Sequence, residues 1–148
     1  LSHLDGKSVG ILADGAAMPE QVVRNGTVTL REPAGTITVG LPYTADLETM
    51  PVEIVGQNGT SVGRKKYINA VNVLFRDTIT ARVGCRFSRM EEYRARSTES
   101  YGQGLDPFTG THRFVVKEHA ENMTMVCIRS DAPLPMTVLA IMPEVEVK

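Results

Sequence analysis

The chain has 148 residues, enough for one domain with its own core and too few for two of ordinary size. Its 16 basic and 17 acidic residues give a net charge of -1, which argues against a globally basic nucleic-acid binder. Hydrophobic residues make up 42%, so intrinsic disorder is not expected. No apolar run approaches the roughly 20 residues of a membrane-spanning helix, and we expect no membrane insertion.

Short runs of β-branched residues separated by turn dipeptides dominate the chain, a pattern typical of an all-β sandwich or barrel. The first predicted strand, residues 7–13, ends at Asp14-Gly15, a pair that accepts the positive φ of a tight turn. Asn25-Gly26 is a further hairpin signal, and we expect the runs on either side of it, up to residue 30, to pair.

The middle of the chain carries the clearest alternation. Residues 36–41 alternate, and the predicted core-facing side chains are Ile37, Val39 and Leu41. Residues 53–55 are expected to pair briefly before a glycine-rich loop. Residues 64–76 form the longest candidate and carry apolar side chains on both faces, which predicts a central strand buried on both sides.

The second half continues the β pattern. Residues 79–83 predict a strand, residues 85–96 permit at most one short helix, and residues 97–110 predict a long exposed loop. Further strands are predicted over residues 113–117, 124–129 and 136–142. The predicted fold class is therefore all-β, an antiparallel sandwich or barrel-like domain of eight to ten strands with at most one short helix.

Positive charge is concentrated between residues 64 and 96, where nine basic and three acidic side chains give a local net charge of +6. Such a patch can hold a phosphate backbone or pair with acidic groups of a neighbouring subunit. We favour a solvated sheet edge that is protected by charge and whose basic side chains also pair with acidic groups of a neighbouring subunit. The residues predicted for this patch are Arg64, Lys65, Lys66, Arg86, Arg89, Arg94 and Arg96.

Signals for catalysis or metal binding are weak. Cys85 and Cys127 lie 42 positions apart without neighbouring ligands, which favours two buried, reduced thiols, with a disulfide as the alternative. His112 and His119 project to opposite faces of a strand, which argues against a shared ion. The hydrolase, phosphate-loop and zinc-protease motifs are missing from the sequence, so we expect neither an enzyme nor a cofactor.

Four stretches carry a family resemblance: GKSVGILADG (6–15), VGLPYTADLETMPVEI (39–54), GRKKYINAVNVLF (63–75) and IRSDAPLPMTVLAIMPE (128–144). In their order and spacing the sequence resembles the carboxy-terminal β domain of bacteriophage tail proteins of the tubular or nozzle type. The resemblance implies a virion structural protein, made in the host cytoplasm, and no catalytic residues. It also implies that residues 1–148 are a single β domain, the carboxy-terminal part of a longer tail protein.

The resemblance supports the hypothesis of a rigid β module that assembles with copies of itself and other tail proteins. Lining or closing the DNA conduit, with backbone contacts to packaged DNA, is part of that hypothesis. The alternative is a module that binds host-surface glycans through Tyr101 and Phe108 of the predicted loop. An enzyme or enzyme accessory domain is a weaker alternative, because no nucleophile, base and orienting group can be proposed together.

Overall fold

The computed structural model describes residues 1–56, 59–95, 105–116 and 123–147, and these ranges are almost entirely β. They contain one 3-10 turn at Ser2–Leu4, no α-helix and twelve strands. The strands are β1 (Ser8–Ala13), β2 (Ala16–Val22), β3 (Ile37–Gly40), β4 (Ala45–Glu48), β5 (Val55–Gly56), β6 (Gly59–Thr60), β7 (Lys66–Thr78), β8 (Thr80–Arg86), β9 (Arg89–Arg94), β10 (Phe108–Val115), β11 (Cys127–Ser130) and β12 (Val138–Val147). The all-β prediction is confirmed, with more short strands than expected.

The strands pair into four sheets, and every pairing is antiparallel. Their orders are β2-β1-β3, β10-β7-β12, β4-β11-β8-β9 and the short β5-β6 hairpin. Among the described residues the sheets stay open, which matches the sandwich rather than the barrel-like form of the prediction. No helix in these ranges is long and apolar enough to cross a membrane.

The main core lies between the β10-β7-β12 sheet and the β4-β11-β8-β9 sheet. Val73 and Phe75 from β7 pack in one cluster with Val83 from β8 and Ile128 from β11, all of them buried. Phe75 also stacks on Tyr93 of β9, with ring centroids 5.8 Å apart. The sandwich is therefore held by apolar contacts between β7 and the facing strands.

Strand β7 is the central strand of its sheet, as predicted, but its two faces are not buried equally. Lys66 and Ile68 are fully buried before a bulge at Asn69, and Ala70, Val71 and Val73 are fully buried after it. The intervening positions are exposed or half-buried. The extra residue lies between the partners of Glu144 and Val145, so the bulge shifts the alternation of β7 by one residue.

The β2-β1-β3 sheet covers a second, smaller core built from the buried Val9, Ile11 and Val23. The predicted core face of β3 is wrong here, because Ile37 is 47% exposed and Leu41 is 54% exposed. Strand β3 is a four-residue edge strand over a small core, so only its middle is partly covered among the described residues.

Turn chemistry sets the geometry of the small sheet. Asp14 and Gly15 have φ of 48° and 82° and close the predicted β1-β2 hairpin. The Asp14 carboxylate accepts the backbone N–H groups of Gly35 at 2.9 Å and Thr36 at 2.7 Å, and these bonds hold the pKa of Asp14 below its usual value. This carboxylate therefore ties the segment before β3 to the tip of the hairpin.

The second predicted hairpin is only partly formed. Asn25 and Gly26 have positive φ and close a single bridge between Arg24 and Thr27. No strand follows, because Val28 and Leu30 pack against the small core instead of continuing the ladder.

The possible short helix over residues 85–96 does not form in the described part of that segment. Residues up to Arg94 belong to the β8-β9 hairpin. Two features explain the hairpin: Tyr93 packs into the aromatic core, and Gly84 has no side chain where β9 passes closest to β8.

Candidate functional site

Only part of the predicted basic patch is exposed positive charge. Arg64 and Lys65 are exposed before β7, whereas Arg86 and Arg89 are exposed partners at the end of the β8-β9 hairpin. The other two described residues do not add free charge to a surface: Lys66 is fully buried, and Arg94 donates to Glu92 at 2.7 Å. The last predicted member, Arg96, lies outside the described residues.

Lys66 belongs to a small polar cluster beneath the surface. Its Nζ lies 2.6 Å from Oε1 of Glu53, and Oε2 of Glu53 accepts the Ser61 hydroxyl at 2.8 Å. Lys66, and then the Ser61 hydroxyl, hold the pKa of Glu53 below its usual range. Ser61 also accepts the backbone N–H of Ile54 at 2.9 Å. The cluster fixes the chain on both sides of residues 62–65.

The segment between these anchors is a tight turn, called here the basic turn (Val62, Gly63, Arg64 and Lys65). Its backbone closes through the Arg64 N–H and the Ser61 carbonyl at 3.1 Å, and Gly63 has a φ of 76°. Val62 is 64% exposed. Within the described ranges, no side-chain ion pair forms at Arg64 or Lys65. The turn presents one apolar and two cationic side chains to solvent.

A second surface feature is a depression of about 160 Å³ beside the small sheet, called here the apolar groove. Its floor is the backbone of Gly10 and Gly40, which are cross-strand partners on β1 and β3. The side chains that line its walls are mainly apolar and are Leu12, Met18, Leu41, Pro42, Ala132 and Pro133, together with Thr38. Three longer polar or aromatic side chains, Glu20, Tyr43 and Asp131, lie at its rim.

Three sequence features build this groove. Gly10 and Gly40 leave the floor without side chains, and a Cβ on Gly40 would meet no atom within 4 Å. Pro42 follows the end of β3, where it cannot donate to a ladder. Pro133 belongs to the rigid corner between β11 and β12 and closes one wall. The sequence signal that was missed is the glycine inside each predicted strand, which often marks a site of close approach.

The rim combines an aromatic ring with an available carboxylate. Tyr43 is 80% exposed. Glu20 is exposed and accepts the Ser8 hydroxyl at 2.9 Å, but it has no ion pair in the part of the chain that the structure describes. Asp131 already pairs with Arg82 at 2.8 Å. Glu20 is thus the rim acid that remains free to pair with a cation.

The predicted recognition loop lies mostly in residues that are not described, and these include Tyr101. Phe108 falls in β10, where it is half-buried and packs 5.6 Å from the ring of Tyr93. The same aromatic group includes His112, whose ring lies 4.5 Å from Tyr93 and whose pKa is lowered by burial. Phe108 is therefore a packing residue of the sandwich rather than an open recognition side chain.

The remaining residues that could have served catalysis or metal binding contribute instead to packing and ion pairs. Cys85 and Cys127 are buried and form no disulfide with each other, and burial, with the neighbouring Glu48, raises the pKa of Cys127 to about 11. Asp46 forms a two-point contact with Arg129 at 2.7 and 2.8 Å. In the ranges described, no group of His, Cys, Asp and Glu is arranged to hold a metal ion; His119 lies outside them.

Comparison of the sequence with known protein-family models and with curated proteins finds no match.

Proposed function

We propose that the chain is a non-enzymatic structural module of a bacteriophage tail, which joins copies of itself and other tail subunits. The observation that carries the assembly role is the pairing of a rigid β framework with two open surfaces, the apolar groove and the basic turn. Exposed apolar surface of this kind is typical of protein contacts. The tail assignment is supported by the sequence resemblance alone.

The distribution of basic residues favours protein contacts over DNA contacts. Lys66 neutralises Glu53 internally, and Arg82 and Arg94 pair with Asp131 and Glu92. The exposed positive charge is therefore smaller than the sequence suggests, whereas nonspecific DNA binding gains affinity from many simultaneous phosphate contacts. The proposal still includes a position at the DNA conduit, which the module would help to line or close.

Sedimentation velocity of the 148-residue chain over a range of concentrations tests the assembly role. We expect reversible self-association that weakens with salt, because surface ion pairs are screened. A chain that stays monomeric up to about 1 mM, a concentration that detects even very weak binding, would contradict assembly through its own surfaces.

A host-glycan module is the second candidate, and one observation favours it: Tyr43 is 80% exposed beside Glu20. An aromatic face and a carboxylate can contact a sugar ring and its hydroxyl groups. Binding of the chain to a glycan array, with loss of that binding in Tyr43→Ala, would support this candidate. An array without signal would remove it.

A further inference from the structure

We propose that the basic turn of one copy seats in the apolar groove of a second copy, in a head-to-tail contact. Val62 would enter the groove, and Arg64 and Lys65 would face the free acid at its rim. The inference rests on the proposed function and names the interface through which that function would operate.

The groove matches the turn in size and chemistry. Its volume of about 160 Å³ is similar to that of cavities that hold a benzene-sized group, so it can take one aliphatic side chain. The bare floor at Gly10 and Gly40 lets a side chain approach the backbone. Leu12 and Met18 supply aliphatic contacts that suit Val62.

The rim matches the charges of the turn. Tyr43 offers an exposed ring face to a guanidinium group, and Glu20 offers a carboxylate. Because Asp131 already binds Arg82, Glu20 is the acid available to Arg64 or Lys65. Each chain thus carries both halves of the contact. The basic turn presents an apolar side chain and two cations, and the apolar groove presents an apolar depression with an acid at its rim.

The turn is prepared for insertion by its anchors. Ser61 and Lys66 are buried on either side of it and share Glu53, with contacts of 2.8 and 2.6 Å. A projection held in one conformation loses little freedom when it binds. The otherwise costly burial of Lys66 then serves to hold the neighbouring Val62 and Arg64 in place.

A second copy is the occupant that these observations favour. The two surfaces consist of different residues, so the contact would be heterologous and would repeat from copy to copy as a ring or filament. A neutral sugar fits less well, because the walls of the groove are largely aliphatic and proline side chains.

Two variants disable one side each and leave the fold intact. In the groove variant, Gly40→Val, the new side chain enters open space on the floor. In the turn variant, Val62→Ser is combined with Arg64→Ser, both at exposed positions. The matched control combines Met50→Ser with Arg89→Ser, which also removes one exposed apolar side chain and one exposed arginine. Circular dichroism and thermal melting verify folding of all three variants.

Sedimentation velocity and light scattering of the variants, alone and mixed, test the contact. We expect each disabled variant to lose self-association by at least about tenfold, as for a central interface residue, and the control to associate like the wild type. An equimolar mixture of the groove and turn variants should form a 1:1 dimer that grows no further, because one intact turn and one intact groove remain.

Four results would overturn the inference. If the wild type associates but both variants associate equally well, or if their mixture stays monomeric, the contact lies elsewhere and the assembly role survives. If the wild type is monomeric up to about 1 mM, both proposals fail. If Gly40→Val abolishes binding to a neutral glycan while self-association persists, the groove is a sugar site.

Discussion

Lys66 is the largest of the fully buried side chains in the described part of the molecule. Its ammonium contacts Glu53, whose side chain is 36% exposed. Water can therefore reach the Glu53 carboxylate when the lysine is removed. The methylene stem of Lys66, by contrast, fills space in the interior.

Two substitutions at this position separate volume from charge. Lys66→Ala should lower the free energy of unfolding by about 2–4 kcal/mol, because it leaves a cavity. Lys66→Met should cost less than about 1.5 kcal/mol, because it keeps the volume while Glu53 becomes rehydrated. Urea unfolding followed by circular dichroism at pH 7 measures both. Equal losses would mean that the ion pair, not the filled volume, carries the stability.

The sequence could not place Lys66 inside the protein. Arg64, Lys65 and Lys66 form one basic run, and only the beginning of β7 assigns the third residue to the buried face. Its partner Glu53 is 13 positions away with a hairpin between them, a pairing that no local periodicity indicates.

At the scale of elements, the β8-β9 hairpin depends on a glycine. A Cβ on Gly84 would overlap the backbone of Arg89 and Met90, which cannot move without opening the hairpin. Gly84→Ala should therefore cost more than about 2 kcal/mol. The control is Gly40→Ala, where the added methyl group meets nothing and the change should stay within about 0.5 kcal/mol. Similar unfolding midpoints for the two variants would contradict this account.

A second element-scale device ties together all three strands of the β10-β7-β12 sheet. Glu144 of β12 accepts bonds from Arg113 of β10 at 2.9 and 2.7 Å and from Asn72 of β7 at 2.9 Å. These donors, Arg113 first, lower the pKa of Glu144 from 4.5 to about 2. The unfolded chain therefore takes up this proton at a higher pH than the folded chain does.

The pH dependence of stability follows from that difference. The contribution of Glu144 should be complete above about pH 5 and should disappear as the pH falls to about 2. Glu144→Gln should be less stable than the wild type at pH 7, and the gap should close toward pH 2. Urea midpoints at several pH values measure the gap. A constant gap would show that Glu144 acts through packing instead of charge.

Elements with strong local chemistry were predictable. Asp14-Gly15 predicts the β1-β2 hairpin, and apolar side chains on both faces of residues 64–76 predict a central strand. Residues 85–96 allowed a helix because their alternation is weak, and the inward position of Tyr93 depends on Phe75, a contact made only in the folded sandwich. Tertiary packing decided that segment.

At the scale of the whole molecule, the two cores differ in size. Among the residues that the structure describes, the sandwich core contains eleven buried residues and the core beneath β1 contains three. Local opening is easier where fewer apolar contacts are lost. Amides of Ile11 and Leu12 should therefore exchange with solvent at least about tenfold faster than those of Val73 and Val83, as measured by hydrogen exchange. Equal protection would indicate one cooperative unit.

The sandwich was predictable from the strand pattern, but the groove was not. Its floor pairs Gly10 with Gly40, thirty positions apart, and its wall adds Pro133 from the far end of the chain. In the sequence alone, each of these residues is typical of an ordinary strand or turn. Only the packing of the β11-β12 corner against the small sheet brings them together.

The bulge in β7 changes the face of the sheet on which all the following side chains of the strand lie. Ala70 and Val71 are neighbours and both are fully buried, although successive side chains of a regular strand point to opposite faces. A shortened version of this strand, lacking the extra residue, would keep its hydrogen-bond ladder yet turn Ile68 or Val73 outward. The length of this segment is therefore as constrained as its composition.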